Sequence, residues 1–222
     1  MNLVLFGPPG AGKGTQSQFI IKRFNLVHVS TGDLLRVAMK NKTSLGLEAK
    51  KFVDVGNLVP DSIMLSLIKE VIKNNKGKGL LLDGFPRNVP QAMELDQLFQ
   101  AEKTPLDKAV FLEVDREILK ARLIGRRVCA TCGSAYQTEM KRPRVEGICD
   151  LDGGKLEHRK DDQPEVIDNR LEVYEKNTAP LKDYYKDMKK FVVVDGVGEP
   201  EVISGLIADA VLGKSRDLRG KE

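Results

Sequence analysis

Gly7-Pro8-Pro9-Gly10-Ala11-Gly12-Lys13-Gly14-Thr15 follows directly on the apolar run Leu3-Val4-Leu5-Phe6, an order of residue types suited to gripping a polyphosphate. Glycines let successive backbone N–H groups converge on an anion. The helix that starts after them points its positive end at the same spot, and Lys13 adds a full charge beside the outer phosphates. One position departs from the usual pattern: Gly14 stands where a metal-binding Ser or Thr commonly follows the lysine, and the hydroxyl comes one residue later, at Thr15. A magnesium ion is therefore expected to be held less directly here than in most such loops.

A second cluster is Cys129-Ala130-Thr131-Cys132, then sixteen residues, then Cys149-Asp150-Leu151-Asp152. Two short-spaced ligand pairs on opposed turns are what a tetrahedral zinc site requires, and Gly133 and Gly153-Gly154 suit the tight knuckles behind them. Asp152 stands where symmetry with the first pair would put a fourth thiolate, and a carboxylate oxygen is an acceptable, harder ligand. The expected set is Cys129, Cys132, Cys149 and Asp152. Two other uses stay open on the residues alone. One is a redox-active Cys-x-x-Cys pair, disfavoured because it lies in an insertion rather than after a strand; the other is a metal-free loop in which Asp152 is a turn residue.

The third cluster is cationic and scattered: Arg36, Arg87, Arg122, Arg126, Arg159 and Arg170. Phosphoryl transfer asks little covalent chemistry of a protein, whose work is to align donor with acceptor and neutralise both polyphosphates. A lone arginine on a helix is ordinarily a solvated one. These stand out by their settings, in Thr31-Gly32-Asp33-Leu34-Leu35-Arg36, Asp83-Gly84-Phe85-Pro86-Arg87, Gly125-Arg126-Arg127 and Arg159-Lys160-Asp161-Asp162.

Such residues must be carried by a scaffold, and the chain alternates short β-rich segments with longer helical patterns. Leu3–Phe6, Leu26–Val29, Gly79–Asp83, Ala109–Glu113 and Phe191–Asp195 read as strands, which predicts an α/β fold with a parallel sheet wrapped by helices. Ser30-Thr31, Pro60-Asp61 and Asp115 mark helix starts, and Gly56, Gly77 and Gly125 are expected to close helices. Thr31–Val59, with two short helical patterns, and the turn-rich Arg127–Glu157 break the rhythm and read as insertions on the ligand face of the sheet. The polar tail Gly213–Glu222 is expected to fray.

The 222 residues suffice for one such domain with its insertions, and 36 Lys and Arg against 32 Asp and Glu give a formal charge of +4. That balance is too mild to imply nucleic acid or an anionic membrane. The four-residue apolar start falls short of the roughly 7–15 residues of a signal-peptide core, and no run approaches the ~18–20 of a membrane span. With three cysteines, the expected setting is a reducing, cytoplasmic one.

These motifs, in this order, resemble the adenylate kinases, specifically the bacterial type with a long, zinc-binding lid. The likeness runs from Met1 to about Leu212. It implies a P-loop kinase fold: a five-stranded parallel sheet flanked by helices, with core segments 1–29, 60–126 and 159–222. A helical AMP-binding insertion would span 30–59, and the lid 127–158. The implied reaction is the reversible, Mg2+-dependent transfer ATP + AMP = 2 ADP, with ATP, AMP and ADP as partners, no nucleic acid or membrane, and a monomeric chain.

Carried over by residue, the resemblance places ATP on Gly10, Ala11, Gly12, Lys13, Gly14, Thr15, Arg122, Arg126 and Gly198, the last through its carbonyl where some relatives carry lysine. AMP falls to Thr31, Arg36, Val59, Gly84, Arg87, Gln91, Arg159 and Arg170. Thr31 and Gln91 face the base, and Arg36 and Arg87 hold its phosphate. Lys13, Arg87, Arg122, Arg126, Arg159 and Arg170 gather round the transferred group, and Asp83 orders magnesium through water. Phe85-Pro86 is expected to be cis. The Cys3Asp lid matches a minority variant of the zinc-bearing lids, with zinc in a structural role. On this reading Arg87→Ala or Arg126→Ala removes most turnover and keeps the fold. A kinase for UMP, CMP or GMP is the nearest rival, opposed by Thr31 with Gln91 and by the long lid. A zinc-knuckle module recognising RNA or a protein lacks its stacking platform, since the insertion holds one aromatic, Tyr136.

Overall fold

The computed structural model of the chain describes residues 1–139 and 141–214. The tail beyond Lys214, read above as a frayed end, lies outside the described residues. Five strands, β1 (Asn2–Phe6), β2 (Val27–Ser30), β3 (Leu80–Asp83), β4 (Lys108–Glu113) and β8 (Phe191–Asp195), form one sheet in the order β2-β3-β1-β4-β8. Every pairing in it is parallel. The expected strands are all present, displaced at their ends by a residue at most.

β1 shows why the middles of these strands are largely apolar. Val4 and Phe6 join one buried cluster, with Leu82, Phe85, Phe99 and Phe111; Leu3 and Leu5 join another, with Leu81, Val110, Leu112 and Ile207. With helices covering both faces, alternate side chains enter opposite cores, and polar residues such as Asn2 and Asp83 stand at strand ends. Those helices include α1 (Lys13–Phe24), α4 (Asp61–Asn74), α5 (Val89–Ala101), α6 (Arg116–Ile124), α7 (Pro164–Val173) and α9 (Pro200–Val211). Among the described residues no helix is long and apolar enough to cross a membrane.

Register fixes what the strands deliver. Asp83 pairs with Leu5 on one side and Ser30 on the other, and Phe6 pairs with Phe111. The strands therefore end together, and the loops leaving them share one edge of the sheet, where α/β folds bind their ligands.

The first insertion is helical, as expected: α2 (Thr31–Lys40) and α3 (Ser44–Val53). Ser30 caps α2 by accepting the Asp33 N–H at 3.3 Å, and Thr43 caps α3 by accepting from Gly46 at 3.0 Å. Gly56 and Gly77 adopt positive φ after their helices. Gly125 ends α6 in a right-handed conformation instead; a Cβ there would stand 2.4 Å from the Gln137 amide, so closeness rather than handedness calls for glycine. The second insertion is more regular than its turn-rich sequence suggested. β5 (Arg126–Cys129) pairs antiparallel with β6 (Ala135–Gln137) and β7 (Leu156–Glu157), in strands too short to leave a periodicity in sequence.

The two insertion helices meet at Gly46, where a Cβ would lie 2.1 Å from the Ala38 carbonyl oxygen. Gly46→Ala is expected to push α2 from α3 at a cost of about 1–3 kcal/mol, measured as a lowered denaturation midpoint with an unchanged m-value.

Candidate active site and metal centre

The glycine loop leaves β1 and turns into α1 through Gly12, at φ +94°. At Gly7 a Cβ would stand 2.7 Å from the Leu112 carbonyl oxygen, so the loop can pass under β4 only as glycine. Ala11 is buried, while Gly14 and Thr15 are exposed at the start of α1. Lys13 folds back over the loop, its Nζ donating to the carbonyls of Gly7 (2.8 Å) and Pro8 (2.9 Å). Burial pulls the lysine down to about 7; Asp83 opposes this, and the charges of Arg87, Arg170 and Arg126 add to it. A nearby anion would restore the proton.

Asp83 is buried at the end of β3, beside the loop. Its Oδ2 accepts from Ser17 Oγ at 3.2 Å and faces His28 Nε2 at 3.4 Å. Neither neighbour stood out in the sequence, because a serine inside a helix and a histidine inside a strand have ordinary structural uses. Space for a side chain at Gly14 is open, so packing does not account for the missing hydroxyl.

Thr31, Gly84, Arg87 and Gln91 form one wall. Thr31 Oγ1 donates to the Gly84 carbonyl at 2.9 Å, and Arg87 Nε donates to the same carbonyl at 2.8 Å. Gly84 has φ +78°, and a Cβ on it would lie 3.0 Å from Thr31 Oγ1. Gln91, 1% exposed, is wedged between the Arg87 backbone and Asp61 at the start of α4. Val59 is buried just before α4. The Phe85–Pro86 bond between these residues is cis, as the sequence led us to expect.

The segments that flank the lid are tied together through a carboxylate that the sequence reading quoted without a role. Asp162, fully buried, receives Arg126 as a fork (Nε to Oδ2 at 2.7 Å, NH2 to Oδ1 at 2.5 Å) and Arg170 NH1 at 2.5 Å. Arg170 also donates to the Asp161 carbonyl at 2.7 Å. Burial works to raise the Asp162 carboxyl, but the hydrogen bonds and charge of Arg126, with Arg170 and Arg159, outweigh it and leave the group below the ordinary aspartate value. The signal was present in the run Arg159-Lys160-Asp161-Asp162: an acid between cations ahead of a helix.

Arg159 has no such partner: its Nε is buried without a hydrogen bond. Burial, then the charges of Arg126 and Arg36, bring it down to about 9. Arg36 is paired with Asp33 on α2. With Met39, Val53, Asp54, Lys160 and Asp161, these two arginines line a cleft of about 190 Å³ between the helical insertion and the lid. Arg122 stands apart, donating to the Gly196 carbonyl at 3.0 Å on the loop after β8 that also holds Gly198.

In the lid, one ligand atom from each of Cys129, Cys132, Cys149 and Asp152 lies within 4.8 Å of the others. Cys129 Sγ is 3.3 Å from Asp152 Oδ1, and Cys132 Sγ is 3.6 Å from Cys149 Sγ. Zinc–sulfur bonds of about 2.3 Å in a tetrahedron require edges of roughly 3.8 Å, so the set fits. The outer contacts agree. Thr131 and Cys132 N–H groups point at Cys129 Sγ (3.3 and 3.4 Å), Tyr136 OH lies 3.4 Å from Cys149 Sγ, and the Gly154 N–H donates to Asp152 Oδ1 at 2.9 Å. Gly133 and Gly153 take positive φ at the knuckles.

Asp162→Asn would leave Arg126 and Arg170 with a buried neutral partner, a loss of about 3–5 kcal/mol for a broken buried pair. Because the folded carboxyl sits below its unfolded value of about 3.9, its stabilisation is complete above that pH and is lost as pH falls through the folded value. The variant's melting temperature should fall well below the parent's at pH 7, and the gap should close only in strong acid.

The family model described as adenylate kinase matches residues 5–190 of the chain. An adenylate kinase of Carboxydothermus hydrogenoformans is 48% identical over 212 residues, covering 95% of this chain and 99% of that protein. One of Syntrophobacter fumaroxidans is 48% identical over 214 residues (96% and 100%), and one of Bacillus subtilis 47% over 197 residues (88% and 91%). Matched by the family model over most of its length, and by these bacterial proteins at 47–48% identity over 88–96% of it, the chain belongs to the adenylate kinase family.

Proposed function

We propose that the chain catalyses ATP + AMP = 2 ADP in the cytoplasm, with magnesium accompanying ATP. The observation that carries this reading is the convergence of Lys13, Arg87, Arg126, Arg159 and Arg170 from separate parts of the chain: beyond burial, the charges of Arg87, Arg170 and Arg126 pull Lys13 down, that of Arg170 pulls Arg87 down, and that of Arg126 pulls Arg159 down. Cations so placed repel until anions arrive between them, and two nucleotides set end to end supply those anions.

In this reading the loop from Gly10 to Thr15 holds the ATP phosphates, with Lys13 swinging from the Gly7 and Pro8 carbonyls to meet them. Arg36 and Arg87 take the AMP phosphate, and Thr31, Val59, Gly84 and Gln91 enclose its base. Arg122 and Gly198 sit toward the donor nucleotide. Asp83, steadied by Ser17 and His28, offers its free oxygen toward the magnesium of the ATP complex through water; that ion offsets charge on the phosphates. Arg126, Arg159 and Arg170 line the gap between donor and acceptor. Closing the helical insertion of residues 30–59 and the lid of residues 127–158 over this core excludes water as a competing acceptor.

Cys129, Cys132, Cys149 and Asp152 would hold zinc, a structural ion that ties two knuckles together. The lid has reason to need one: its own buried cluster is Cys129, Tyr136, Cys149 and Leu156, too little apolar surface to fold so short a segment unaided.

A coupled assay with AMP, CMP, UMP and GMP as acceptors tests the main reading; ADP that fails to disproportionate would sink it. Arg87→Ala, whose side chain is exposed to the cleft, should lower turnover on the order of 10³-fold and leave melting little changed. Arg126→Ala should lose comparable turnover and keep the fold but melt earlier, because Asp162 loses its two-bonded partner and keeps only Arg170. Chelation should lower the melting temperature by several degrees and release about one zinc per chain, measured by metal analysis, while initial rate in the cold changes little.

A further inference from the structure

We infer that Asp61 is a positioning residue that fixes the hydrogen-bonding sense of the Gln91 amide and thereby selects an amino group over an oxo group at C6 of the purine acceptor. The inference rests on the reading of the AMP site given above.

Gln91 Oε1 accepts from the backbone N–H of Arg87 at 2.7 Å, and Gln91 Nε2 donates to Asp61 Oδ1 at 2.7 Å. The two ends of an amide have nearly the same shape, so orientation is decided by what surrounds them. Here the surroundings leave one choice, because a backbone N–H can only donate and a carboxylate can only accept. Turned over, the amide would set oxygen against the Asp61 carboxylate and N–H against N–H, in a place with almost no water to relieve either clash.

Asp61 is itself held. Both its oxygens accept from Asn88 Nδ2 at 3.0 Å, and it opens α4, where the helix favours an acid. Asn88 in turn caps α5 by accepting the Gln91 backbone N–H at 2.8 Å. Asp61, Asn88 and Gln91 thus form a closed ring of hydrogen bonds joining α4 to α5.

With these bonds made, the Gln91 amide keeps one lone pair on Oε1 and one hydrogen on Nε2. Adenine needs that pair, offering a donor at its C6 amino group and an acceptor at N1. Hypoxanthine has the same outline but presents an acceptor at O6 and a donor at N1, so both contacts are wrong. A glutamine free to rotate could serve either base. One anchored to a carboxylate serves adenine.

The test compares kcat/KM for AMP and for IMP, with ATP as donor, in the parent chain and in Asp61→Asn and Asp61→Ser. Both replacements can donate as well as accept, which lifts the Asp61 half of the restraint on the Gln91 amide and leaves only the Arg87 N–H to hold its sense; two variants guard against one that fails to fold, and thermal melting monitors each. The AMP to IMP ratio should fall about tenfold, the scale of one hydrogen bond to a charged group, with the KM for ATP unchanged. In a Gln91→Ala background the same Asp61 substitutions should leave the ratio where it was. Equal losses on AMP and IMP, or a ratio within twofold of the parent in folded variants, would mean that Asp61 serves stability alone and would overturn the inference. A parent chain that does not prefer AMP to IMP would instead remove the underlying reading of the adenine site, before any substitution is made.

Discussion

Like charges brought close together repel one another, and this chain gathers the half-buried Lys13, Arg126, Arg159 and Arg170 with the exposed Arg87 near one another. The fold supplies some compensation: Asp162 is shared between Arg126 and Arg170, and Asp83 offsets Lys13. Arg159 is offset only by the nearby charges of Asp161 and Asp162, and its buried Nε has no hydrogen-bond partner among the described residues. A site under that tension favours states in which phosphate enters and the surrounding segments close. The same repulsion that strains the arrangement supplies its affinity for anions.

The same residues carry compensation and, in the proposed reading, catalysis. Arg126 begins β5, directly before segment 127–158, and Arg170 lies on α7, after it, so one buried carboxylate joins the two sides of that insertion. A fork on Asp162 also gives Arg126 a definite orientation, which an unpaired arginine on a short strand would lack. The price is sensitivity: removing either cation leaves the buried carboxylate with only one of its two partners.

Much of this was legible in the sequence because it depends on local chemistry. Five apolar strands flanked by helical patterns give a parallel sheet, since only burial on both faces tolerates such runs. A glycine loop after the first of them points to an anion, and the spacing of Cys129, Cys132, Cys149 and Asp152 suits a metal without excluding other uses. The strands of the lid escaped notice because two to four residues hold no period. His28, Ser17, Asp61 and Asn88 escaped because each looks like an ordinary strand, helix or capping residue, and its relevance comes from a neighbour distant along the chain.

The sequence by itself determined which groups are present and roughly which element carries each: the glycine loop, the arginines in their motifs, Thr31 and Gln91, and the Cys3Asp set. Only the tertiary structure decided how those groups are held. Pairing Asp162 with Arg126, seating Asp83 between Ser17 and His28, and orienting Gln91 through Asp61 are contacts across 30 to 66 residues. Each depends on strand register and helix packing, and a hydrogen bond forms or fails over fractions of an ångström. Patterns along a chain record composition and spacing; they do not record that distance.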